Sequence, residues 1–158
     1  MAIFMKYGDE KGEVTYEGYK DWIEINSFQW GVGRGISSGG GGSKRESSAP
    51  SISEITVSST MSAFSPLALK EALTGEGVLV KIDITRTNST GGHQPFQQYE
   101  LSETMVSGYS VSSGGDNPSE SLSLNFQKVQ SLYLKVDETL GMVATGAIIY
   151  NLETAKLG

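Results

Sequence analysis

The chain has no cysteine. Disulfides, thiol catalysis and cysteine-ligated zinc are therefore excluded, and the protein can pass between reducing and oxidising compartments with its covalent structure unchanged. Basic clusters are also scarce. Formal net charge is −6, and Lys44–Arg45 is the strongest basic feature. Binding to nucleic acid through phosphate neutralisation is not expected of such a chain. No apolar stretch approaches the ~20 residues of a membrane helix, so no membrane insertion is expected. The N-terminus, Met1 to Asp9, lacks a basic region followed by an apolar run, so export without a cleaved Sec-type signal is the expectation. There is one histidine, His93, and any histidine-based dyad or metal site would have to rest on it.

What is present is neutral and polar. Hydrophobic residues make up 37% and charged residues 19% of 158 residues, with 20 glycines. This profile suits an all-β domain with many turns, and the length suits one domain over residues 1–158. Glu120 to Val136 is the clearest organising stretch. Leu122, Leu124 and Phe126 alternate with Ser121, Ser123 and Asn125, the period-two pattern of a strand with one buried face. Its second half, with Val129, Leu132, Tyr133, Leu134 and Val136, reads as covered on both faces, and an offset at Gln127–Lys128 would change the facing.

The rest of the chain supplies partners for that strand. Ala2 to Tyr7, Tyr19 to Trp30, Ile52 to Ser59, Gly77 to Thr87, Phe96 to Glu103, Thr104 to Ser113 and Met142 to Leu152 all read as strands. One helix is expected from Ser65, with Ser65 as N-cap, Pro66 at the first helical position and Leu69, Ala72 and Leu73 as its apolar stripe. Gly75 would end it in the left-handed conformation. Gly31 to Pro50, with Gly39, Gly40, Gly41, Gly42, Ser43, Lys44, Arg45 and Glu46, reads as an extended flexible loop. The predicted fold is mainly β: an antiparallel β-barrel of two packed sheets with one short α-helix on its flank.

Catalytic constellations are weak. His93 lies in the turn-like Gly91–Pro95 and is expected to be a solvated loop residue. Asp9, Glu10, Glu13 and Glu17 spread along a loop rather than facing each other across a cleft. No serine stands in a Gly-x-Ser-x-Gly elbow. Gly31-Val-Gly33-Arg-Gly35 lacks the full spacing of a nucleotide-binding loop. No catalytic, metal or cofactor residue is assigned, no cofactor is expected, and the chain is not expected to be an enzyme.

Several stretches together resemble the haemolysin-coregulated protein (Hcp) family. They are Met5-Lys6-Tyr7 through Lys11-Gly12-Glu13, Ile23-Glu24-Ile25-Asn26-Ser27-Phe28-Gln29-Trp30-Gly31, and Leu124-Asn125-Phe126-Gln127-Lys128-Val129 followed by Tyr133. Their order and spacing match over essentially the whole chain. The resemblance implies a tube subunit of the bacterial type VI secretion system. Six copies would form a ring, and rings would stack into a tube inside a contractile sheath, capped by a spike of the VgrG family. Small effector proteins could ride in the lumen. Assembly would take place in the bacterial cytoplasm, followed by secretion. No toxin domain is expected after the last strand. The resemblance also makes the loop at about 31–50 a ring-stacking candidate. Trp22, Phe28 and Trp30 are candidates for subunit side contacts, because both faces of their stretch are apolar. The alternatives are a phage-type tail tube protein, a non-catalytic carbohydrate-binding β-sandwich using Trp22 or Trp30, and, last, a hydrolase around Glu13 and His93.

Overall fold

A computed structural model describes residues 1–37, 47–137 and 141–158. Its longest strand, β8 (His93–Ser112), belongs to two sheets at once. The residues expected to form two successive strands make one, with a bend at Glu103, whose φ is +51°. A non-glycine residue is rarely found there. Gly77 makes the bend possible: a β-carbon on it would lie 2.6 Å from Glu103 Oε2 and 3.1 Å from Glu103 Cα. Thr104 Oγ1 donates to the Leu101 carbonyl at 3.0 Å beside the bend.

The partners of β8 divide at the same place. Before the bend it pairs with β7 (Val78–Thr87) on one edge, a ladder whose last pair, Val78 with Thr104, reaches just past the bend, and with β10 (Lys128–Asp137) on the other. After the bend it pairs with β9 (Ser119–Asn125). The stretch Glu120 to Val136 is thus two strands rather than one. They are separated at Phe126–Gln127, next to the expected offset, where Gln127 N–H donates to the Ser102 carbonyl at 3.1 Å. Tyr19 to Trp30 is divided in the same manner. Tyr19–Trp22 forms a turn, and β2 (Ile23–Ile25) and β3 (Ser27–Gln29) meet at Asn26. β2 pairs with β1 (Ala2–Tyr7), and β3 pairs with β6 (Ile55–Thr60). Crossing between sheets also switches parity: Ile23 and Ile25 turn inward from β2, and Phe28 from β3.

The result is two antiparallel sheets packed on one core. The larger runs β2-β1-β7-β8-β10-β11-β12, with β11 (Gly141–Asn151) and β12 (Lys156–Leu157) at its far edge. The smaller runs β3-β6-β9-β8. The ladders do not close into one ring; the barrel is completed where the chain crosses between sheets at β2–β3 and along β8. The core contains Met5, Tyr7, Ile55, Val57, Ile82, Leu101, Leu122 and Leu124, each essentially inaccessible to water. The expected loop 31–50 is anchored at its base by a two-stranded ribbon, β4 (Val32–Gly33) with β5 (Ser51–Ile52), and by a bridge between Ile36 and Ser47.

Helix α1 (Ser65–Thr74) forms where expected but is rotated. Its N-cap is Phe64, which is fully buried with its ring 5.9 Å from that of Tyr7. This anchor turns Ala68 inward, with Leu67 and Ala72 packed beside it. Leu69 and Leu73, expected inside, are 47% and 74% exposed. Ser65 Oγ accepts a hydrogen bond from Ser62 N–H at 2.9 Å, in place of capping its own helix. Gly75 ends the helix in an extended conformation (φ −65°, ψ 151°) rather than a left-handed one.

Candidate functional site

Cross-strand neighbours share a face of the sheet, so rows of partners trace how that face is covered. Val80, Leu101, Val129, Tyr150 and Leu157 form one row across β7, β8, β10, β11 and β12. Val80 and Leu101 are 0% exposed, Val129 3%, and Leu157 75%. The next row, Ile82, Tyr99, Ser131 and Ile148, goes from 0% exposed at Ile82 to 64% at Ile148. The core-facing side of the larger sheet therefore continues past the barrel as an overhang. Trp30, Val32, Pro50 and Ile52 lie along it and complete an apolar groove of about 180 Å³.

Trp30 and Phe28 both belong to this region. The Phe28 ring stacks on Tyr99 at 5.0 Å, and Trp30 meets Tyr99 edge-on at 5.6 Å. Trp30 Nε1 donates to the Ser53 carbonyl at 3.1 Å. Trp22 stands apart from them. It packs edge-on against Tyr19 at 4.9 Å, in a second cluster with Phe4 and Val14. Both indoles are partly buried, so neither offers the open stacking platform that a sugar-binding reading needs. Gly39, Gly40, Gly41, Gly42, Ser43, Lys44, Arg45 and Glu46 lie outside the described residues.

The polar groups serve packing. His93 is not a solvated loop residue: β8 begins with it, and its ring lies 5.2 Å from Phe4 and 4.6 Å from Tyr16. Its Nδ1 is enclosed without a hydrogen-bond partner. Glu13 Oε1 accepts from Ala63 N–H at 3.1 Å, tying the acidic loop to the segment before α1. Among the described residues, no group of three or more His, Cys, Asp or Glu is placed to hold a metal ion.

Among the described residues, Glu120 and Asp83 are buried carboxylates that the sequence pattern does not single out as functional. Glu120 is 2% exposed and accepts from Ser59 Oγ at 3.1 Å and from the Tyr109 hydroxyl at 2.8 Å. Burial, reinforced by the bond to Glu120, pushes the Tyr109 hydroxyl up to about 12. Glu120 has the parity of Leu122 and Leu124, and that signal could have found it. Asp83 is 5% exposed and accepts from the Tyr19 hydroxyl at 2.8 Å and Gln98 Nε2 at 3.1 Å. Burial raises its carboxyl above the usual range, partly offset by these two bonds and by Lys81. Burial and the neighbouring Asp83 raise the Tyr19 hydroxyl as well. Asp83 has the opposite parity to core residues Val80 and Ile82, and the Tyr19 turn covers it; nothing local in the sequence announces that cover. The two carboxylates lie in different sheets, each occupied by its own hydroxyl partner.

Comparisons with known proteins agree on one family. The sequence profile described as "Type VI secretion system effector, Hcp" matches residues 4–133. No match was found among curated proteins. Among solved structures, one described as a type six secretion system protein superposes with a TM-score of 0.89 at 22% identity, covering 99% of each chain. Hcp1 from Salmonella typhimurium superposes with a TM-score of 0.78 at 20% identity, covering 99% of this chain and 98% of that one. A type VI secretion system effector from Yersinia pestis gives 0.73 at 16% identity, with 94% and 98% covered. These structures share the fold, and the profile match over most of the sequence assigns the lineage: this chain belongs to the Hcp family of type VI secretion system proteins.

Proposed function

We propose that this protein is a non-catalytic structural subunit of the type VI secretion inner tube, built from a single domain over residues 1–158. Six copies form a ring, rings stack into a tube, and sheath contraction expels the tube behind a VgrG-family spike. Small effectors travel in the lumen. The chain assembles in the cytoplasm and leaves the cell without a cleaved signal peptide; among the described residues, no helix is long and apolar enough to cross a membrane.

One observation carries this reading: an Hcp fold in which apolar residues on the core-facing side of β11 and β12, Ile148 and Leu157, stay exposed among the described residues. Contiguous apolar surface of this kind marks an interaction site rather than ordinary exposure. A tube subunit needs such surface on unlike sides, because a closed ring is built from heterologous contacts. A non-catalytic role is supported by the family and by the engagement of Glu120, Asp83 and Glu13 in packing.

The test is solution mass by light scattering, followed by negative-stain imaging of the same peak. Rings with an open centre are the expected result; a strict monomer at all concentrations contradicts the reading. The segment Gly39–Ser48 is assigned to stacking between rings. Deleting it should spare the ring and impair tubes, and loss of the ring itself would overturn that assignment.

A further inference from the structure

The groove has a counterpart on the same chain. Leu69 and Leu73 are one turn apart on α1, so both project from one side of the helix. They form an exposed apolar ridge, 47% and 74% accessible, on an element whose other side is packed into the barrel. We propose that the Leu69–Leu73 ridge of one copy docks into the Trp30–Ile52–Ile148–Leu157 groove of the next. This rests on the ring reading above and adds which surfaces meet.

Topology supports the pairing. α1 packs on β8 and leads through Gly75–Gly77 into β7, which pairs with one edge of β8. The groove lies past β10, which pairs with the other edge. Ridge and groove are therefore reached from opposite edges of the same strand. A convex ridge and a concave groove on opposite flanks cannot satisfy each other within a two-fold dimer built on one shared patch. Repeated from copy to copy, they make a head-to-tail contact that closes into a ring or runs on as a chain. The shapes agree too: branched aliphatic side chains at helical spacing suit a largely apolar slot.

Leu73 and Ile148 are exposed in the monomer, so each can be altered without touching the core. Leu73→Asp and Ile148→Asp should each reduce the particle from ring to monomer with an unchanged circular dichroism spectrum. The decisive measurement mixes them. The Ile148→Asp chain keeps an intact ridge, and the Leu73→Asp chain keeps an intact groove. Their mixture should give a one-to-one heterodimer by light scattering and nothing larger. Because the chain has no cysteine, a second measurement has no background. A Leu73→Cys/Ile148→Cys chain treated with a short bismaleimide should give a covalent ladder, and either single variant should not.

If either charge variant keeps the wild-type ring, the docking is wrong while the ring reading stands. An inert mixture of two folded monomers also overturns the docking. A wild type that is itself monomeric removes the ring reading and the docking together. Should a charge variant unfold, the cysteine pair decides: absence of a ladder from a protein that still elutes as a ring overturns the proposal.

Discussion

Leu101 and Ile148 lie two strands apart in one sheet and share one face, yet water reaches 0% of the first and 64% of the second. Both are aliphatic residues at inward parity on alternating strands. The difference lies in what covers them. Over β1, β7 and β8 the smaller sheet supplies Ile55, Val57, Leu122 and Leu124 as the opposing layer. Over β10–β12, among the described residues, Trp30, Pro50 and the β4–β5 ribbon reach the face, and they leave a slot. Alternation reports which side of a strand is apolar. It does not report whether the same chain or another copy provides the cover.

Removing a side chain from the covered region should have the largest effect. Leu122→Ala should cost about 2–5 kcal/mol, because a fully packed site loses both transfer energy and packing. Chemical denaturation of the monomer gives the value; a loss under about 1 kcal/mol would mean that the barrel core is not the tightly packed layer described.

Glu120 sharpens the contrast within that core. Glu120→Ala leaves the Ser59 and Tyr109 hydroxyls without their acceptor and should cost about 1–3 kcal/mol. Glu120→Gln, which keeps an acceptor oxygen, should recover part of the loss. Equal destabilisation by both variants would argue against a hydrogen-bonding role.

The tyrosines give a pH test of burial. Tyr7 and Tyr109 are raised from 10.0 to about 12, first by burial, then by nearby carboxylates. A folded value above the unfolded one means that the stability contribution is complete below pH 10 and is lost as pH rises toward 12. Absorbance titration should show these phenols ionising later in folded protein than in denaturant. Coincident curves would show that they are not sheltered.

The smallest expected effect lies on the overhang. Ile148→Ala and Leu157→Ala should change monomer stability by within about 0.5 kcal/mol, because they remove little buried contact. The measurement belongs below the assembly concentration, since self-association adds stability by mass action. A cost as large as that of Leu122→Ala would erase the distinction between the two regions.

The sequence made the strands legible wherever alternation ran within one sheet, as in Ala2–Tyr7 and the start of β7. It was misleading where a strand changes sheets. At Asn26 and at Phe126–Gln127 apolar residues continue without pause, so each pair of strands read as one. At Glu103 the reverse occurred, and a continuous strand read as two. The helix was legible as a helix, but its orientation was not. A stripe of Leu69, Ala72 and Leu73 is apolar whether it meets the barrel or a neighbour, and the buried Phe64 decided which. Trp30 and Phe28 stand out in the sequence for the apolar character of their stretch; Trp30 lines the groove, whereas Phe28 stacks on Tyr99. The groove's other wall, Ile148 and Leu157, comes from the C-terminal strands and is visible only through register. Trp22 shares their parity in sequence but lies past the crossing at Asn26, in another cluster.

The exposed apolar face of β11 and β12 is proposed above as an assembly surface. The most direct test is the light-scattering mass of wild type and Ile148→Asp, side by side at one concentration. A ring for the wild type and a folded monomer for the variant are the expected results. Identical masses for the two would contradict the proposal.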